Sequence, residues 1–243
     1  MENNKISAVV VGAGPSILGS NLGETIDNFD VVIRCNNFEI EGFEKDVGKK
    51  TDIWAVNTSR STAPRDYTAF KEIWFKDQPA HKLLQKLSYN QDALEICRMI
   101  SDPREYCKSL ELNGIKIEPG ENPSLGFRAI LMAISEYGSV HIAGFDFFEG
   151  SEDKKFFKHY YTDSGKWAAK AQTDYYQKWF LEMEWAKTKE ERDLFKEAID
   201  KNLMVVRSAH HDTEKEKLSV EKLINQNKVF LLGAKDEKLF EKS

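Results

Sequence analysis

The run Ala8-Val9-Val10-Val11, followed at once by Gly12-Ala13-Gly14-Pro15-Ser16, constrains this chain more than any other feature. Consecutive apolar, mostly β-branched residues fit a strand buried on both faces, which is the environment of a parallel sheet. The glycines allow a tight turn towards a following helix, and such a turn lets backbone N–H groups approach a phosphate. A second apolar run, Asp30-Val31-Val32-Ile33-Arg34, ends in Cys35-Asn36-Asn37. Asparagine at a strand end offers neutral donors and acceptors suited to a base, a ribose or a phosphate. Together the two runs read as the opening of a nucleotide-binding α/β domain.

The spacing argues against a dinucleotide. A G-x-G-x-x-G fingerprint needs a third glycine for close helix–strand packing and an acid at the end of the second strand. Here Ile17 holds the third position, Pro15 interrupts the loop, and the second strand ends in Arg34-Cys35-Asn36-Asn37, with Glu39 and Glu41 lying beyond it.

Strand and helix patterns alternate over the first 150 residues, with strands expected near 7–12, 30–35, 51–56, 71–75 and 139–146. Residues 123–137 form a helical stripe that opens with Pro123-Ser124 and closes at Gly138. Helix-like stretches are also expected at 79–88 and 91–109. After residue 150 a long polar helix signal runs from Lys166 to Lys201, then a strand at 203–206, a helix at about 212–226 and a last strand at 229–232. The expectation is a single α/β domain over 1–243, with a mostly parallel central sheet and a helical insertion at about 165–205.

Composition narrows the class. The 243 residues are 41% hydrophobic with a net charge of −5, enough for a core without disulfides and the wrong sign for a nucleic-acid partner. No apolar run reaches membrane-spanning length, and the start Met1-Glu2-Asn3-Asn4 carries no secretory pattern. Cys35, Cys97 and Cys107 lack metal-ligand spacing, so a reduced cytoplasmic setting is expected. Peripheral association with the inner face of a membrane, or an anchor outside this stretch, fits the same pattern.

Two histidine segments follow the nucleotide-like core: His159-Tyr160-Tyr161 and His210-His211-Asp212-Thr213-Glu214-Lys215-Glu216. Imidazole titrates near pH 6.5, so either segment supplies a base for a hydroxyl nucleophile. Metal-ligand spacing is missing, and no Asp-x-Asp pair occurs, so no metal site is expected.

These pieces together resemble a known family. Gly12-Ala13-Gly14-Pro15-Ser16 through Arg34-Cys35-Asn36-Asn37 and on to Gly48-Lys49-Lys50-Thr51-Asp52 is similar to the large sialyl motif of sialyltransferases, glycosyltransferase family 29. Asn122-Pro123-Ser124-Leu125-Gly126-Phe127, running to Gly144-Phe145, resembles the small motif. His159-Tyr160-Tyr161 resembles the third motif, and His211 to Glu216 has the His-x-x-x-x-Glu form of the very small motif. Bacterial family 42 sialyltransferases look related around Gly14-Pro15-Ser16, Arg34-Cys35-Asn36 and Asn57.

The resemblance implies a Rossmann-like GT-A variant and an inverting, metal-independent transfer of a sugar acid, sialic acid first, from a CMP-activated donor. The acceptor implied is a hydroxyl of an oligosaccharide or glycolipid, and no cofactor beyond the donor is needed. It assigns His211 as general base and His159, with Tyr160 or Tyr161, to the departing phosphate. Gly12, Gly14, Ser16, Asn36 and Asn57 would hold the nucleotide, and Ser124 and Gly126 would present a helix N-terminus to it.

Departures accompany the match. Ala13 stands where an Asn is common, Leu125 replaces a hydroxyl residue, and Thr162 follows the tyrosine pair. The disulfide of the animal enzymes has no partner in 122–146. Plainer readings of the same residues stay open: a tight turn at Gly12 and Gly14, strand-end caps at Asn36 and Asn57, an N-cap at Ser124, packing at Tyr160 and Tyr161, and a solvated or His-orienting Glu216. Alternative functions are transfer of another CMP-linked acid such as Kdo, or a nucleotide-binding module without catalysis.

Overall fold

A computed structural model describes residues 6–57, 65–76, 80–147, 156–157, 159–161, 188–200, 204–205 and 213–233. Six strands, β1 (Ala8–Val11), β2 (Val31–Cys35), β3 (Ile53–Asn57), β4 (Glu72–Lys76), β5 (Cys97–Met99) and β6 (Val140–Ala143), join a last strand, Val229–Leu231, in one sheet. Two shorter strands intervene in the chain, β7 (Phe156–Phe157) and β8 (Met204–Val205), so the last strand is β9. The sheet order is β5-β4-β3-β2-β1-β6-β9. All of its pairings are parallel. This is the mostly parallel α/β fold expected from the alternating pattern.

The all-apolar reading of β1 has its reason in the packing. Ala8 and Val10 face one layer and Val9 and Val11 the other, as the two-residue side-chain period requires. The first layer is led by α5 (Leu125–Tyr137), whose Ala129, Ile130, Leu131 and Ala133 are fully buried. Ser124 caps it by accepting from the Phe127 N–H, and Gly138, at φ 79°, ends it in a conformation other residues avoid. The second layer carries α1 (Gly23–Asp27) and α2 (Glu44–Val47) beneath β1 and β2, and α3 (Ala80–Leu87) beneath β3 and β4.

Two expectations needed correcting. The helix-like stretch 91–109 is divided: a 3₁₀ segment at Gln91–Ile96, the edge strand β5, then α4 (Pro103–Ser109). Arg98 in β5 forms ion pairs with Glu72 and Glu136 at 3.1 and 2.7 Å. Those partners, distant in sequence, decide for a strand where local propensity favours helix. Pro103 marks the restart, because it disfavours helix for the residue before it and opens a new first turn after the Asp102 cap. The strand expected at 203–206 exists as β8, but pairs antiparallel with β7 in a separate two-stranded sheet.

Of the insertion at about 165–205, the described parts are helix α6 (Lys189–Asp200), with Thr188 before it, and the strand β8. Residues 166–187 lie outside the described residues. Helix α7 (Thr213–Asn225) falls where the sequence placed it.

Candidate active site

The chain runs outward from β1 to β5 and then returns to the other side of β1 as β6. Ligands of open parallel sheets bind beyond the carboxyl ends of the strands at such a reversal. Here the edge consists of Gly12–Ser16 after β1 and Gly144–Asp146 after β6.

The two loops are fused. Gly12 N–H donates to the Ala143 carbonyl at 2.8 Å, and Gly14 N–H to the Gly144 carbonyl at 2.9 Å. Ser16 N–H donates to Asp146 Oδ2 at 3.0 Å. The amides expected to meet a phosphate are therefore spent on β6, and the glycines serve close approach. A Cβ on Gly12 would lie 2.3 Å from the Gly144 oxygen, and one on Gly14 would lie 2.5 Å from Asp146 Cγ. Asp146 is a partner the sequence did not single out. Its signal was its place at the end of the returning strand.

The ring of Phe145 joins this turn to the start of α5. A Cβ on Gly12 would come within 3.1 Å of Phe145 Cδ2, and one on Gly126 within 2.8 Å of its Cε1. Gly126 thus makes room for Phe145. The N–H groups of Leu125 and Gly126 belong to the first turn of α5, where no intrahelical acceptor exists. Helix N-termini of this kind favour anions, because the positive end of the helix dipole lies there.

Ser124 is engaged. Its N–H and Oγ both donate to the carboxylate of Glu216 on α7, each at 2.6 Å, while Oγ accepts from Phe127. Glu216 is buried, so the solvated reading of it is corrected.

The third-motif segment docks on Ala13. Its carbonyl accepts from Tyr160 N–H at 3.0 Å and from the His159 ring. Desolvation pushes the His159 imidazole down to about 4, so it is neutral at neutral pH. Tyr160 Oη donates to the Glu39 carbonyl at 2.5 Å and accepts from its N–H at 3.1 Å. Tyr161 Oη donates to the Asn37 carbonyl at 2.8 Å. Both rings are buried, and burial pushes both phenols up. These contacts are those of packing residues, and they shape the loop after β2.

That loop carries Asn36, held at φ 51° in the left-handed region that Asn tolerates. Its Oδ1 accepts from Asn57 N–H at 3.1 Å and its carbonyl from Trp54 Nε1 at 2.7 Å. Asn36 and Asn57 are therefore adjacent at the ends of β2 and β3. Arg34 turns away from the edge, donating to the carbonyls of Lys50 and Val47 and to Thr51 Oγ1. It is 1% exposed, and burial lowers it to about 10.

Among the described residues no His, Cys, Asp or Glu group gathers as a metal-ligand set. His210 and His211 lie outside the described residues, three and two places before the first residue of α7.

The fold is that of a doubly wound α/β protein, with a glycine turn and a helix N-terminus brought together at the carboxyl ends of its strands. Residues 2–191 match the family model described as Glycosyltransferase family 29 (sialyltransferase). The chain belongs to that family. It is 30% identical to bovine Beta-galactoside alpha-2,6-sialyltransferase 2 over 159 residues, covering 56% of this chain and 32% of that protein. It is 28% identical over 165 residues to rat CMP-N-acetylneuraminate-beta-1,4-galactoside alpha-2,3-sialyltransferase, covering 57% and 44%. The matches thus span a third to under half of these relatives' length. A solved mammalian sialyltransferase, in complex with Gal-beta-1-3GalNAc-ortho-nitrophenol, shares the fold with a TM-score of 0.54 at 17% identity, covering 93% of this chain and 69% of the other.

Proposed function

We propose that this chain transfers a sugar acid, sialic acid first, from a CMP-activated donor to a glycan hydroxyl, inverting the anomeric centre without a metal. The observation that carries the reading is the meeting of three motif segments, Gly12–Ser16, Ser124–Gly126 and His159–Tyr161, around Ala13 and Phe145. Family membership adds the chemistry.

In the proposed step the acceptor oxygen attacks the anomeric carbon as the bond from that carbon to the phosphate oxygen breaks. The acceptor proton passes to His211, and CMP leaves with the bonding pair. Charge grows on the phosphate, where the first-turn amides of α5 stabilise it, while the neutral His159 ring, whose N–H is committed to the Ala13 carbonyl, holds the third-motif segment on the glycine turn. Asn36, Asn57 and Ser16 border the nucleotide. Tyr160 and Tyr161 hold the loop that carries Asn36 and Asn37.

CMP release from CMP-sialic acid, with a galactose-terminated acceptor and with chelator present, tests the proposal. Expected is turnover that His211→Ala abolishes while CMP binding survives. Retained turnover in that variant, with loss in His210→Ala, moves the base by one residue. A donor panel including CMP-Kdo separates sialic acid from other CMP-linked acids, and CMP binding without turnover on any donor favours a binding module.

A further inference from the structure

Three carboxylates are buried among the described residues: Glu39, Asp52 and Glu216. Two are hydrogen-bonded within the fold. Asp52 accepts from the Val32 N–H at 2.9 Å and pairs with Lys71 at 2.7 Å, and Glu216 accepts twice from Ser124 at 2.6 Å. Glu39 differs. It is 8% exposed, and its Oε1 is buried without a hydrogen-bond partner. A desolvated carboxylate oxygen that accepts nothing is costly, more so than a neutral group, and a fold that keeps one calls for a physical reason.

Looseness of the chain is not that reason. Tyr160 Oη takes the Glu39 N–H and donates to the Glu39 carbonyl, so the main chain is fixed on both sides of the side chain. The preceding residue is fixed as well: the Arg65 guanidinium lies 3.8 Å over the Phe38 ring and donates to the Phe38 carbonyl. Burial pulls the Arg65 pKa down and the Glu39 charge works against that, so cation and carboxylate are neighbours. A purely structural ion pair would spend both carboxylate oxygens on the guanidinium, and Oε1 is not spent. Glu39 is therefore held in place beside a counter-charge, with acceptor capacity left over.

Its place is the carboxyl edge of the sheet. Glu39 stands four residues past Cys35, the last of β2, in the loop that carries Asn36. Tyr160, which grips it, donates its own N–H to Ala13 in the turn after β1. An acid following the second strand is where nucleotide-binding α/β folds accept from ribose hydroxyls. A carboxylate offers two acceptor oxygens to the two hydroxyls of such a diol.

We propose that the Glu39 carboxylate binds the ribose diol of the nucleotide donor. It reads the sugar of the nucleotide and takes no part in the bond exchange. The inference rests on the sialyltransferase reading above and gives a role to a residue which that reading leaves without one.

Calorimetry on the full chain tests it with three nucleotides: CMP, dideoxy-CMP, which lacks both ribose hydroxyls, and UMP, which keeps them and changes the base. Each is titrated into the unaltered chain, Glu39→Gln and Glu39→Ala. The unaltered chain is expected to bind CMP about 10- to 100-fold tighter than dideoxy-CMP, the scale of a hydrogen bond to a charged group. Glu39→Ala is expected to bring that ratio within about threefold by weakening CMP, with the CMP-to-UMP ratio unchanged; comparing the ratios isolates the contact. Glu39→Gln keeps the volume and one acceptor oxygen without the charge, so its ratio falls between the two. It carries the test if alanine, by removing the counter-charge of Arg65, unfolds the chain.

An unaltered ratio in Glu39→Ala overturns the proposal, as does the full ratio in Glu39→Gln where alanine does not fold. Equal weakening of CMP and dideoxy-CMP makes Glu39 a support of the fold and overturns it too. A change confined to the CMP-to-UMP ratio assigns the carboxylate to the base and overturns the ribose assignment. If the unaltered chain binds no CMP, the sialyltransferase reading falls together with this inference. If it binds CMP and dideoxy-CMP alike, that reading stands and the inference alone falls.

Discussion

Replacing Gly12 with alanine places a methyl group 2.3 Å from the Gly144 carbonyl oxygen and 3.1 Å from Phe145 Cδ2. Ordinary contact begins near 3.4 Å, so the two loops must part by roughly 1 Å. The obstacle is backbone and has no rotamer to change. Parting by that much stretches both bonds that fuse the loops, Gly12 N–H to Ala143 O at 2.8 Å and Gly14 N–H to Gly144 O at 2.9 Å. Overpacking costs about 1–3 kcal/mol and each lost bond about 1 kcal/mol, giving about 3–5 kcal/mol in all. For a chain of this size each kcal/mol moves the thermal midpoint by about 2–4 °C, so a fall of about 6–20 °C is expected.

Gly19→Ala is the control. Gly19 sits at φ 71° with nothing within 4 Å of an added Cβ, so alanine there costs only about 1–2 kcal/mol of backbone strain. Gly12 has no positive φ, so its cost is steric alone. Thermal unfolding followed by circular dichroism compares the two. A Gly12→Ala midpoint no lower than that of Gly19→Ala refutes the account of the fused loops.

Other outcomes follow from the same site. Tyr160→Phe strands the buried N–H and carbonyl of Glu39, costing about 1–3 kcal/mol in urea unfolding, and raises KM for the donor if the 36–39 loop holds the nucleotide. Arg34→Lys loses the fork that joins Val47, Lys50 and Thr51, and urea unfolding should show a cost of about 2–4 kcal/mol, near that of removing a buried partner. His159, held near 4 in the fold against about 6.5 unfolded, leaves stability unaffected above pH 6.5. Between those values the unfolded chain binds the extra proton, so stability falls as pH drops towards 4. His159→Gln should flatten that part of a midpoint-against-pH curve.

How much of this was legible in the residues differs from element to element. The runs at 8–11, 31–33 and 53–56 are apolar on both faces because both faces are covered, and with the intervening helix signals their pattern points to a parallel sheet. The helix at 125–137 carries its own start and stop in Ser124 and Gly138. β5 was hidden, since a three-residue strand held by Glu72 and Glu136 has no local signature. Glu216 was visible as part of a motif, but its partner was not, because Ser124 lies 92 residues away.

The sequence by itself determined the α/β class, the family and the residues that gather at one edge, because periodicity, glycines and caps are local and motif spacing survives divergence. Only the tertiary structure decided what those residues do with their hydrogen bonds. It spends the glycine-turn amides on β6, the tyrosine hydroxyls on the 37–39 main chain and a buried carboxylate on Ser124. A donor or acceptor is committed by whichever partner folding brings within about 3 Å, and the chain's linear order carries no record of that choice.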